Sequence, residues 1–111
     1  MSRWGILAVI LAVVTIAFPA LTKAAGEPAT AEIKIDNFSF APQTVTVATG
    51  TKVTWTNQDD IPHTVVSDDK TTFKSQALDT DDKFSVTFSK PGTYTYFCSI
   101  HPKMTAKIVV Q

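Results

Sequence analysis

The stretch Gly92–Val110, GTYTYFCSIHPKMTAKIVV, reads as two strands and the loop between them. Tyr94, Tyr96 and Cys98 share one parity, and Ala106, Ile108 and Val110 share another. Period-two alternation of aromatic and β-branched residues marks a strand with one face buried. The same pattern recurs upstream, at Ile33 and Ile35, Val45 and Val47, Val53 and Trp55, and Phe84, Val86 and Phe88. Turn signals separate the runs: Ala41-Pro42, Thr49-Gly50, Asn57-Gln58-Asp59-Asp60, Ser67-Asp68-Asp69 and Lys90-Pro91-Gly92. No segment after residue 24 sustains a helical period. Many short strands at this spacing predict an all-β domain over residues 32–111, an antiparallel β-sandwich or barrel.

The chain begins differently. Arg3 is followed by an uncharged, mostly apolar run from Trp4 to Leu21, ended near Pro19 and succeeded by Thr22-Lys23-Ala24-Ala25. A positive start, a short apolar core and small residues after it predict a secretory signal peptide over residues 1–24. Left uncleaved, the run reaches the lower limit for a membrane anchor. Residues 25–31, AGEPATA, read as a flexible linker. The expected location is the periplasm, with membrane attachment only if the first segment stays on.

All ten acidic residues lie after residue 24, whereas Arg3 and Lys23 of the ten basic ones lie before it. The exported part is therefore slightly acidic, which argues against nucleic-acid binding. Seven of the ten acids fall between Asn57 and Asp82. They read as a solvated face, with a partner-binding patch as the alternative. Cys98 is the one cysteine, so it forms no disulfide within the chain. In an exported protein it is then a buried inert thiol, an intermolecular bridge or a ligand.

Each candidate donor has an ordinary reading when taken singly. His63 follows the Ile61-Pro62 turn and reads as a loop histidine; Cys98 reads as a small buried hydrophobe; Met104 reads as core filling. Together they carry more. Cys98, His101 and Met104 stand in a Cys-x-x-His-x-x-Met run stiffened by Pro102, and His63 comes from a separate strand end. Two imidazoles, a thiolate and a thioether make the donor set of blue-copper electron-transfer sites. Zinc competes for two histidines and a cysteine. The methionine and the higher intrinsic affinity favour copper.

With these residues quoted, the sequence resembles the cupredoxins, small blue copper proteins, and among them the amicyanin type. Val53–Val66, VTWTNQDDIPHTVV, and Gly92–Val110 carry the likeness, which extends over nearly the whole exported part. The two-and-two spacing of Cys98, His101 and Met104 is similar to the short amicyanin loop. The resemblance implies a Greek-key β-sandwich, with His63, Cys98 and His101 as equatorial copper ligands and Met104 as the axial one. Thr64 departs from the family pattern, where an asparagine commonly follows the first histidine and ties the ligand loops together.

The function expected is single-electron transfer by one copper ion cycling between Cu(I) and Cu(II), in a monomer that is not an enzyme. The sequence offers no nucleophile with a base and no paired catalytic carboxylates, and two histidines are too few for a multicopper catalytic fragment. Redox carriers form small, weak complexes. The expected partners are redox proteins such as a c-type cytochrome or a periplasmic dehydrogenase. They would meet an exposed His101 edge rimmed by Ile100 and Pro102, with Pro62 nearby, and would be steered by Asp59 and Asp60. The competing function is a periplasmic copper carrier or chaperone, for which the same donors would serve.

Overall fold

The computed structural model describes residues 29–111. The expected signal peptide and the first part of the expected linker lie outside them. Eight strands form in chain order: β1 (Thr30–Asp36), β2 (Ser39–Ala41), β3 (Thr44–Val47), β4 (Thr51–Asn57), β5 (Val66–Ser67), β6 (Lys83–Phe88), β7 (Gly92–Phe97) and β8 (Thr105–Val110). They build two four-stranded sheets, in the orders β2-β1-β4-β6 and β3-β8-β7-β5. Thr30 and Ala31, read from sequence as the end of a linker, already lie in β1 and pair with Lys52 and Val53 of β4. The first strand therefore includes two residues that small-residue composition assigns to the linker.

The sandwich is as expected, but its strands are not all antiparallel. β1 runs parallel to β4, and β3 runs parallel to β8. The reason is connectivity. Strands joined by tight turns must reverse, as β1–β2 does; strands that meet after an excursion through the other sheet are free to return in the same direction. Period-two alternation reports which face is buried and carries no information on direction.

The inward parities meet between the sheets. Ile33, Ile35, Val53 and Trp55 come from one sheet, and Tyr96, Ile108 and Val110 from the other; all are buried. Trp55 and Tyr96 meet edge to face, and the indole N–H donates to the tyrosine oxygen at 3.2 Å. Burial of that hydroxyl pushes its ionisation well above the ordinary tyrosine range, and the indole bond only partly offsets it. It stays neutral, so the two sheets are joined by a buried polar contact that carries no charge.

The long connection from Asp68 to Asp82 is more than a solvated loop. Phe73 and Leu78 are buried, and Phe73 packs against Trp55, Phe88 and Tyr96. Backbone bonds lace it along the edge: Ser67 N–H to Phe73 C=O, Ser75 N–H to Val65 C=O, and a reciprocal pair between His63 and Leu78. The segment thus closes the open edge beside β5 and gives a fixed seat to His63.

Candidate metal centre

Two loops at one end of the sandwich carry the donors. The first leaves β4 at Asn57, which is fully buried. Its carboxamide N–H groups donate to the carbonyls of Ile61 (2.9 Å) and Leu78 (2.7 Å), and its oxygen accepts the Asp59 amide (3.0 Å). One side chain therefore bonds two backbone groups of the turn and ties them to Leu78, whose carbonyl also accepts the His63 amide. His63 follows, held on the backbone by its bridge to Leu78. The second loop leaves β7 with Cys98 still on the inward parity and fully buried. It closes on itself: the Met104 amide donates to His101 C=O (2.9 Å), and the Cys98 amide donates to Met104 C=O (3.1 Å). The turn returns the chain into β8 and leaves Met104 buried beneath it.

The loops bring three of the four sequence-predicted donors together. Cys98 Sγ lies 3.7 Å from His63 Nδ1 and 3.8 Å from His101 Nδ1, and all three ligand atoms fall within 4.8 Å of one another. Met104 lines a hollow beside His101, together with Phe38, Ile100, Pro102 and Lys103. His63 and Cys98 are fully buried, while His101 is half-buried.

The surroundings prepare each donor. Burial alone would push the Cys98 thiol up, but the Thr64 amide, the two imidazoles and the His101 amide outweigh it and bring it down to about 6. The cluster therefore offers a thiolate at neutral pH. His63 Nε2 sits 2.7 Å from the Asp59 carboxylate. Partial burial would raise that carboxyl, but the Phe38 and Asn37 amides and the His63 ring together hold it below its ordinary range. An ionised carboxylate can only accept, so Nε2 carries the hydrogen and Nδ1, on the Cys98 side, keeps a lone pair free to ligate.

Thr64, where the family pattern has asparagine, joins the two loops. Its hydroxyl oxygen accepts the Ser99 amide at 2.7 Å and lies 2.7 Å from Ser99 Oγ, while its own amide donates to Cys98 Sγ at 3.3 Å. The tie expected of an asparagine is made here by a hydroxyl and two backbone groups.

Three contributors escaped the sequence reading. Sequence alone places Asn57 in a turn and Asp59 among the acids that would steer a partner, whereas the structure has each hold the His63 loop. Phe38 was not singled out. It lies in the β1–β2 turn, 52% exposed, with its ring edge-on to both His63 (5.7 Å) and His101 (5.1 Å).

Residues 7–110 match the family model of the cupredoxin-like domain. The chain belongs to the cupredoxin-like family. Within that family it is similar to amicyanin: it is 37% identical over 87 residues to amicyanin-alpha of Methylorubrum extorquens, covering 72% of this chain and 71% of that one. Among solved structures, the purple cupredoxin of Nitrosopumilus maritimus superposes with a TM-score of 0.69 at 33% identity, over 73% of this chain and 99% of that one. The copper-containing nitrite reductase of Thermus scotoductus SA-01 superposes with a TM-score of 0.71 at 31% identity, but over only 23% of its length. The cupredoxin's donor set suits the family's copper: a buried thiolate and an imidazole locked in its ligating tautomer, with a second imidazole beside them.

Proposed function

We propose that this cupredoxin is an exported electron-transfer protein that shuttles single electrons between periplasmic redox partners. His63, Cys98 and His101 would hold one copper ion, with the Met104 thioether as a further, weaker donor. The observation that carries this is the convergence of two imidazole Nδ1 atoms on one buried thiolate, at 3.7 and 3.8 Å. Copper bound there supplies a one-electron couple. The protein supplies the rest. Thr64 and the closed Cys98–Met104 turn would hold the donors in place, so little atomic movement would accompany a change of charge. The buried faces of His63 and Cys98 exclude water. His101 reaches the surface and gives the centre its shortest path out.

The surface around that path fits a brief encounter. Phe38 and Ile100 are the exposed large hydrophobic residues among those described, and both border the hollow above His101. Pro102 and Lys103 complete its rim. A small apolar patch with few charges suits a weak, short-lived complex with a c-type cytochrome or a periplasmic dehydrogenase. It would not hold a permanent partner. The carrier or chaperone reading has less support, because buried donors tied to two braced loops favour retention of a metal over its release.

The test is the visible spectrum. Cu(II) added to the full chain should give an intense thiolate charge-transfer band, and Cys98→Ser should abolish it. A fully loaded Cu(II) protein without such a band overturns the reading. Slow copper release combined with fast electron self-exchange separates an electron carrier from a copper carrier.

A further inference from the structure

The turn that presents Phe38 is unfavourable by itself. β1 and β2 are joined by Asn37 and Phe38 alone, with Asp36 opposite Ser39. Both turn residues have positive φ, 51° and 57°. A two-residue hairpin loop of this kind is normally filled by Asn-Gly, because left-handed backbone is costly for a residue with a bulky side chain. Asn37 meets the requirement; Phe38 does not. A phenylalanine held there is strained and persists only where its surroundings enforce it.

The enforcement comes from the metal end. The Asn37 amide donates to Asp59 Oδ1 at 2.6 Å, and the Phe38 amide donates to Asp59 Oδ2 at 3.0 Å. Asp59 Oδ2 also accepts from His63 Nε2 at 2.7 Å. Asp59 is itself fixed, by Asn57 through its amide and by the Thr80 hydroxyl, which donates to its carbonyl at 2.6 Å. Its side chain is 11% exposed. One carboxylate thus joins a strained turn of one hairpin to a histidine on the far loop. The turn in turn sets the Phe38 ring perpendicular to both imidazoles.

We propose that Asp59 is a positioning residue with two linked tasks: it locks His63 into the tautomer that ligates through Nδ1, and it clamps the Asn37–Phe38 turn so that Phe38 walls the two imidazoles. The inference rests on the copper reading of the site, but the tautomer lock and the clamp are readable without copper. The neighbouring Asp60 is exposed and has no such partners among the described residues, so position in the acidic run is not what matters.

The experiment compares Asp59→Ala, Asp59→Asn and Asp60→Asn in the full chain loaded with Zn²⁺, a metal that fits the same donors and leaves nuclear resonance spectra undisturbed. Three quantities are read: exchange of the His63 Nε2 proton with water, the resonance of the Phe38 ring, and Zn²⁺ affinity by chelator competition. In the wild type the Nε2 proton should exchange slowly. Asp59→Ala should speed its exchange, shift the Phe38 ring toward its free position and weaken Zn²⁺ by about 10–100-fold. Asp59→Asn keeps the volume and one accepting oxygen, so it should hold either the turn or the ring and lose part of the affinity. Asp60→Asn should match the wild type in all three. If Asp59→Ala proves unfolded, Asp59→Asn alone decides. An unchanged Nε2 exchange rate and unchanged affinity in a folded Asp59 variant overturn the proposal. Copper binding without a charge-transfer band, with the Asp59 effects intact, would instead overturn the electron-transfer reading and leave the positioning role standing.

Discussion

The Asn57–Thr64 loop and the Cys98–Met104 loop each contribute an imidazole, and they hold it in opposite ways. His63 is fully buried, bridged to Leu78 through its backbone and bonded to Asp59 through its ring. His101 is half-buried, and its neighbours Ile100, Pro102 and Lys103 are exposed. The first loop is braced by its own Asn57 and Asp59 and, from outside, by Leu78 and Thr80; the second is braced chiefly by its own turn and by the tie from Thr64. One imidazole is structure and the other is a surface, although their ligating atoms lie at nearly equal distances from the same sulfur.

The sharpest way to break this contrast is to remove each ring in turn. Taking His63 away leaves a cavity and an Asp59 carboxylate without its ring partner. In the metal-free protein His63→Ala should cost roughly 2–4 kcal/mol. His101→Ala, at a partly solvated position, should stay within about 0.5 kcal/mol. Denaturant unfolding of both variants measures the difference. Added imidazole should restore a coloured copper site in His101→Gly and fail to do so in His63→Gly, because only the His101 position opens to solvent. Equal stability losses would mean that the two loops are braced alike.

The contrast also divides what the sequence shows from what it hides. The strands were legible because half-burial writes a period of two into Tyr94, Tyr96 and Cys98 and into Ala106, Ile108 and Val110. The Cys98–Met104 loop was legible because its donors are adjacent and rare. The His63 loop was half legible: the ring announces itself, but its support does not. Asp59 is one of seven acids between Asn57 and Asp82, and nothing in the chain sets it apart from Asp60 until the fold brings Asn37 and Phe38 within reach. Phe38 and Phe40 share a parity that suggests two inward residues, yet the two-residue turn swings Phe38 out over the imidazoles while Phe40 stays in the core. Phe73 and Leu78 are buried from a stretch with no period, because they plug an edge and do not line a face. Strand direction left no trace at all, since alternation is the same either way.

A smaller effect tests the tie between the loops. Thr64→Ala removes the oxygen that accepts the Ser99 amide and faces Ser99 Oγ, but leaves the backbone bond from residue 64 to Cys98 Sγ. The expected loss is about 1–2 kcal/mol, the cost of a hydrogen bond whose partner stays partly buried. The reduction potential should move as well, since the hydroxyl holds the loop that carries Cys98 and His101. Thr64→Asn, which restores the residue common in the family, should recover most of the stability. A Thr64→Ala variant with unchanged stability and potential would show that the second loop needs no support from the first.

The smallest effect concerns the rim, where sequence reasoning paired Asp59 and Asp60 as charges that steer a basic partner. The structure separates them. Asp59 is committed to His63 and to the Asn37–Phe38 turn, so reversing it would disturb the centre and confuse any rate measurement. Asp60 is exposed and next to the same loop, and it alone can report on steering. A rim charge acts on the rate of encounter more than on the bound complex. Asp60→Lys should therefore slow electron transfer to a basic cytochrome at low ionic strength by less than about tenfold. The copper spectrum should not change. At 1 M salt the Debye length contracts to roughly 3 Å, so the difference should vanish. Stopped-flow rates across a salt series give both results at once. A wild-type rate at low salt would show that Asp60 belongs to the solvated face with the remaining acids. Recognition would then fall to Phe38, Ile100 and Pro102, and the exposed imidazole would be reached through apolar contact alone.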